Sequence, residues 1–517
     1  MRGDRASASV HPCMRHPFLA ALLVLGCAHR HEPRPPPLQG WTELRSTHFR
    51  LRTDMPPDSA RETLEKLEHL RLWLQAAWST GGDSPGSTNT IVLDDAAELW
   101  TFMHVPGTAT TTRQGPIIVT AGNGGWLLPG ERSPEQQLLA HEVAHDLIRR
   151  RMPGAPRWFH EGLAGYLQTV VQLDERRVRF GVVSTHRDTG DPRFLNQPEK
   201  AGSTPAPVLP LDALGTVRWE VATGPEVDRL YRSARLWVYL LRIEEPERMG
   251  ALEAALAART PWRVAWGQLR QGLDLDRLSG KLWRLFQAGG WPTEVRSIHS
   301  ETPSPTTPVT ARVLALWEVH LCLAELRSLS GRTSGDPGVA AGVRQEVEAA
   351  VAAAPDEPVP RVWLADLETD RDTRRKLAES LVERFPASTE ARVLLARVLR
   401  DDGGPPEERR EAALAAVTAA PDSVDALTAN AVAELGNGNS EGAVRSVLRA
   451  ETLEPWNPAV YVTRGLVLGA IGRCDDAAEA MQRSLDVLPD DPPAAEVRTL
   501  IRERDRIVQA CRSRPVP

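Results

Sequence analysis

The sequence predicts an α+β domain, a small sheet packed on helices, followed by an all-α solenoid of helical repeats. Three observations carry this. Short β-rich runs at 48–53, 89–94 and 116–121 alternate with stretches of helical period at 58–78 and 133–151. A segment rich in proline, serine and threonine spans 299–308. Beyond it the chain is dominated by Ala, Leu, Val, Arg and Glu, and prolines recur at 386, 421, 455 and 489, every 34 or 35 residues.

From the start of the chain, Arg15 and His16 precede the apolar run 18–26, which suits the core of a signal peptide and is too short for a permanent span. Cys27 follows. The stretch Val24-Leu25-Gly26-Cys27 resembles a lipobox, so residues 1–27 are expected to be a signal peptide with Cys27 the site of lipidation. An ordinary signal sequence with an incidental cysteine is the alternative, and Met14 is a candidate start. Residues 28–40, rich in proline and charge, cannot form a core and read as a tether. The rest is expected in the cell envelope, lipid-anchored and facing the periplasm or exterior, with Ala28 favouring the outer membrane. No later run reaches the roughly eighteen apolar residues that a spanning helix needs, so lipid is the expected membrane link.

The first domain is expected over 41–296. Its second half is helical, with apolar residues at helical spacing over 157–170, 226–243, 247–258 and 262–288. A linker at 297–309 separates it from the repeats at 310–517. Each recurring proline ends the second helix of a unit, a pattern that resembles the tetratricopeptide repeat. In that register Gly465 and Ala477, and in the preceding unit Ala431, Ala443 and Ala450, fall where the helices of a hairpin approach closely. The unit ending at Pro421 is degenerate, with Arg409 at a small-residue position. Such repeats recruit a protein partner or serve as a packed spacer.

A chain of 517 residues supports two or three domains, and its net charge of −6 excludes nucleic acid as an expected partner. The five cysteines are too few and too scattered for a disulfide framework or a cysteine metal knuckle. Cys322, Cys474 and Cys511 read as small buried hydrophobes.

Chemistry concentrates in 133–166. Ser133 as N-cap, Pro134 in the first turn and Glu135 near the positive end predict a helix start. His141 and His145, four apart, then project from one face, and Glu142 follows the first of them. Pro153, Gly154 and Pro156 end that helix, and the returning one presents Glu161 early. Two imidazoles and one carboxylate are a ligand set for Zn2+ that leaves a position open, as catalytic sites do.

The segment His141-Glu142-x-x-His145 followed by Trp158-Phe159-x-Glu161-Gly162-x-Ala164 resembles the gluzincin, or peptidase MA-like, zinc metallopeptidases. The resemblance implies an α+β metallopeptidase-like domain in which His141, His145 and Glu161 hold zinc and Glu142 acts as general base on water. It implies Tyr231 as oxyanion donor, with a plain packing tyrosine the alternative, and the strand 116–121 as the edge that holds an extended protein or peptide substrate. Tyr166 is read as pointing elsewhere, and Tyr239 lies in a strongly apolar stretch. His160 reads as a packing or surface histidine, and His104 has no ligand-type spacing. The run Thr120-Ala121-Gly122-Asn123-Gly124-Gly125 lacks the motif by which aminopeptidases hold a free amino terminus, so an endopeptidase is favoured. The competing expectation is an envelope scaffold or assembly lipoprotein that acts through its repeats without turnover.

Overall fold

Alternating apolar residues fold the first strands into a hairpin, β1 (Thr42–Arg45) with β2 (Phe49–Thr53), in the register Leu44 opposite Leu51. The computed structural model describes residues 35–78, 87–102, 107–112, 115–121, 134–182, 208–215, 225–288, 291–298, 309–334, 338–488 and 494–513. Cys27, the expected signal peptide and the proline-rich part of the linker lie outside these.

Helix α1 (Pro57–Trp78) crosses from β2 to the parallel strand β3 (Thr88–Leu93), and α2 (Ala96–Trp100) follows, capped by the Asp95 carboxylate on the Ala97 N–H. Strand β4 (Gly107–Thr112) is antiparallel to β5 (Gly115–Ala121), which runs parallel to β3. Helices α3 (Pro134–Arg151) and α4 (Arg157–Leu167) precede a second sheet of β6 (Val171–Asp174), β7 (Arg177–Phe180) and β8 (Glu294–Ser297). Between β7 and β8 run α5 (Leu211–Leu214), α6 (Pro225–Glu244), α7 (Pro246–Ala257), α8 (Trp262–Arg270) and α9 (Leu275–Ala288). The single helix expected over 262–288 is two, parted at Gly272, whose φ of 72° is left-handed.

Strand β9 (Thr310–Val313) pairs with β1 and completes a six-stranded sheet in the order β4-β5-β3-β2-β1-β9. Glu43 explains this docking. Burial alone would raise its carboxyl, but Arg45, Arg50 and Arg312 of β9 hold it down to about 2. The next helix, α10 (Leu316–Ser334), covers one face of the sheet: Val319, Cys322, Leu323 and Leu326 pack on Trp41, Ile91, Leu93, Ile117 and Val119. Leu44, Leu51, Val92 and Ile118, pointing the other way, pack with α1, α3 and α4. Both β9 and α10, which follow the boundary expected at 309/310, thus pack on the first sheet. Helical periodicity shows that α10 has an apolar face but not what it covers.

The opposite face of α10 opens the solenoid, with Leu321 and Ala324 against Val343, Val347 and Ala350 of α11 (Gly338–Ala353). Antiparallel helices follow: α12 (Pro358–Asp366), α13 (Arg371–Arg384), α14 (Thr389–Asp402), α15 (Pro406–Ala419), α16 (Val424–Gly436), α17 (Ser440–Leu453), α18 (Pro458–Ala470), α19 (Cys474–Asp486) and α20 (Ala494–Arg512). Ser388, Ser423 and Asn457, each two residues past a recurring proline, cap α14, α16 and α18 through their side chains. At Gly465 a β-carbon would lie 2.7 Å from Met481, so α18 and α19 meet as closely as the small residue predicts. Ala431, Ala443 and Ala450 are fully buried. No helix among the described residues is long and apolar enough to cross a membrane.

Cys474 and Cys511 form a disulfide between α19 and α20, which corrects their reading as small buried hydrophobes; among the described residues Cys322 is the free thiol, and it is buried. Two cysteines 37 residues apart give no spacing signal, and only the packing of α20 onto α19 brings them together. Closing that loop is worth about 2–4 kcal/mol. Reduction, or Cys474→Ser, is expected to lower the unfolding temperature of the terminal hairpin, read by calorimetry.

Candidate metal centre

The motif helix α3 is central to the first domain, with every residue from 136 to 149 buried. Its far half is pinned to the sheet by Asp146, which accepts hydrogen bonds from Thr88 Oγ1 at 2.6 Å and Arg150 Nε at 3.0 Å. Arg150 also donates to the Ser87 carbonyl at 3.1 Å. The turn at 152–156 is closed by Met152 N–H on Ile148 O and Ala155 N–H on Met152 O, at 2.7 and 2.9 Å. Pro156 then starts α4 in extended conformation. Gly162 sets the depth of α4, because a β-carbon there would lie 2.5 Å from the Ala234 carbonyl and 2.6 Å from Val238 on α6.

This packing brings His141, His145 and Glu161 together, each at most 5 % exposed. His141 Nε2 lies 2.9 Å from His145 Nε2, and Glu161 Oε2 lies 3.4 Å from both. A tetrahedral ion with bonds of about 2.0–2.1 Å sets neighbouring donors about 3.3–3.4 Å apart; both separations from Glu161 match this, and the imidazole pair at 2.9 Å is tighter. Both Glu161 oxygens are buried without a hydrogen bond among the described residues. Leaving such a carboxylate without a hydrogen bond would be costly, and a bound cation would offset that cost. Burial alone would raise the Glu161 carboxyl, but the facing imidazoles of His145 and His141 hold it well below the usual carboxylate range. The donor set fits zinc.

Outer support is present. His141 Nδ1 lies 2.8 Å from Gln168 Oε1. The Gln168 oxygen can only accept, so Nδ1 carries the proton and the Nε2 lone pair faces Glu161 and His145. Gln168, just past the end of α4, was missed in the sequence; a glutamine seven residues beyond Glu161 has no spacing signature. Gln168→Leu is expected to weaken zinc binding about 10–100-fold in a chelator competition, while Gln168→Glu, which keeps an acceptor, retains it.

Glu142 is buried beside its ligand, 6 % exposed. His160 stacks on His145 with ring centroids 6.1 Å apart, and burial, with the charge of His145, depresses its imidazole. Tyr231 on α6 is half-buried, and its hydroxyl receives a hydrogen bond from Arg157 Nη2 at 3.4 Å. Arg157 Nε in turn lies 3.7 Å from Glu161 Oε1, so Tyr231 reaches the ligand cluster through Arg157. Arg157 is a second residue the sequence reading missed. Its signal is its place one turn before Glu161, on the same face of α4. Tyr166 donates to Glu294 and Tyr239 to the Pro292 carbonyl, both away from the cluster.

One expectation is corrected. The strand over 116–121 is not the edge, because β4 lies outside it and also packs against α3. The β4 run Gly-Thr-Ala-Thr-Thr-Thr carries no apolar alternation by which to recognise it. His104 and residues 122–125 lie outside the described residues.

No protein-family model matches the chain, and no curated protein matches it. Solved structures do. A TPR protein of Thermus thermophilus, TTC0263, is 18 % identical over 38 % of this chain and 98 % of its own, with a TM-score of 0.29. MamA of Desulfovibrio magneticus is 17 % identical over 32 % of this chain and 92 % of its own, with a TM-score of 0.23. Yeast Tom70 is 13 % identical over 89 % of this chain and 82 % of its own, with a TM-score of 0.27.

Proposed function

We propose that this chain is a zinc-dependent peptidase, with endopeptidase action favoured, whose repeats recruit a protein substrate or partner. The observation that carries the reading is the convergence of His141 Nε2, His145 Nε2 and Glu161 Oε2, 2.9–3.4 Å apart, next to buried Glu142. Zinc held there would activate water and polarise a peptide carbonyl. Glu142 takes the proton from water and delivers it to the leaving amine. Tyr231 donates a hydrogen bond to the developing oxyanion, and Arg157 keeps that hydroxyl oriented. Gln168 fixes the His141 tautomer. The Cys474–Cys511 disulfide supports an oxidising compartment, in keeping with an envelope location and lipidation at Cys27.

A second reading is a scaffold that works through its repeats without turnover. It is favoured by the regular capped hairpins from α14 to α19, a form that presents extended binding surfaces. One experiment separates the two: zinc content, and cleavage of a denatured protein mixture, for the wild type and Glu142→Gln. Cleavage lost with Glu142 supports the peptidase; bound zinc without cleavage in either protein leaves the scaffold.

A further inference from the structure

The repeats do not stand clear of the first domain. The side chain of Arg483 on α19, 8 % exposed, lies against the turn joining the two ligand-bearing helices. A β-carbon on Gly154 would sit 2.8 Å from its Nη2 and 3.0 Å from its Cζ, so the guanidinium rests directly on the Gly154 backbone. Arg483 Nη1 donates to the Arg259 carbonyl at 3.3 Å, and the guanidinium stacks over Tyr461, 5.5 Å from the ring centre. Arg259 has a left-handed φ of 63°, alone among the described non-glycine residues. That conformation is costly outside glycine, and it is held from the repeats: Arg259 Nη1 lies 3.6 Å from Glu451 Oε1, whose other oxygen accepts from Arg464 at 2.7 Å. A third contact falls at the end of α3, where Arg150 stacks on Trp456 at 5.1 Å. Arg150 also pairs with Asp146, one residue beyond His145.

From these contacts we infer that Arg483 is a positioning residue for the metal centre: it clamps the turn at 152–156, which fixes the distance between the imidazole pair on α3 and Glu161 on α4. The inference rests on the metal-centre reading above. His141 and His145 lie on one side of the turn and Glu161 on the other, so movement of the turn changes the donor triangle directly. A partner that shifts α17–α19 would thereby act on zinc affinity from the far end of the chain.

The test uses the full chain and zinc itself, with affinity read by chelator competition. Arg483→Ala is expected to bind zinc about tenfold more weakly, the lower end of the cost of losing outer support, with unchanged helix content and with faster amide exchange over 150–156 in the metal-free protein. Gly154→Ala, which displaces only the flexible end of Arg483, is expected to weaken zinc alone but to add nothing in the Arg483→Ala background. Residues acting through one contact are non-additive in this way, whereas unrelated damage adds. Arg445→Ala, in an exposed pair with Glu441 on α17, controls for loss of a surface arginine. If the wild type binds zinc and the Arg483 and Gly154 variants bind it equally well, or if their effects add, the clamp is refuted. A wild type that binds no zinc overturns both the clamp and the metal-centre reading.

Discussion

Glu142→Gln is expected to hold zinc as tightly as the wild type and to cleave a denatured protein mixture about 10²–10⁴-fold more slowly, the range for loss of a general base. The substitution keeps the shape and removes only the ability to take a proton. His141, His145 and Glu161 are untouched, so the metal measurement separates loss of the base from loss of the site. His141→Ala makes the contrasting case, because losing one of three donors should cost both metal and cleavage. Equal cleavage by the wild type and Glu142→Gln would remove Glu142 from the mechanism. Tyr231→Phe divides the proposal further. If the hydroxyl acts on the oxyanion, kcat falls and zinc affinity does not, whereas a plain packing tyrosine leaves both unchanged.

The convergence of His141, His145 and Glu161 was legible in the sequence because it is local. Four residues between histidines on a helix fix their common face, and the prolines at 153 and 156 force the chain to return, which presents Glu161 early on the next helix. The groups around it were not legible. Gln168 meets His141 only because α4 lies antiparallel to α3, and Arg157 meets Tyr231 only because Gly162 lets α4 approach α6. The solenoid was legible through its period, since three of the four prolines, at 386, 421 and 455, are followed two residues later by a capping Ser or Asn. Its beginning was not. Strand β9 is four residues of Thr-Ala-Arg-Val with all four exposed, which gives no burial pattern, and its partner β1 lies some 270 residues earlier. The same holds for the disulfide and for the contact of Arg483 with Gly154. Each depends on the return of the chain, which local sequence does not encode.

Breaking the ion pair between Arg52 and Glu325 is expected to have the largest effect on stability. Arg52 on β2 is 4 % exposed and Glu325 on α10 is 3 % exposed, with Nη2 to Oε2 at 2.9 Å. The thiol of Cys322 accepts from Arg52 Nη1 at 3.5 Å. Burial alone would make the guanidinium easier to deprotonate, but Cys322 and Glu325 shift it the other way, so it stays charged. Glu325→Ala then leaves a cation inside the layer between the sheet and α10, at a cost of about 3–5 kcal/mol. Replacing both partners, Arg52→Met with Glu325→Leu, should recover most of this loss, because a buried pair roughly balances its own desolvation. Calorimetry on the single and double variants decides the matter. A single-variant loss below about 1 kcal/mol would mean that water reaches the pair as it does at a surface. The consequence extends beyond the sheet. One face of α10 holds Cys322 and Glu325 against the strands, while Leu321 and Ala324 on the other begin the repeats. Loosening this helix from β2 therefore shifts the base of the solenoid whose far end rests on the α3–α4 turn. Glu325→Ala should consequently weaken zinc binding as well as stability, whereas the double replacement should restore both.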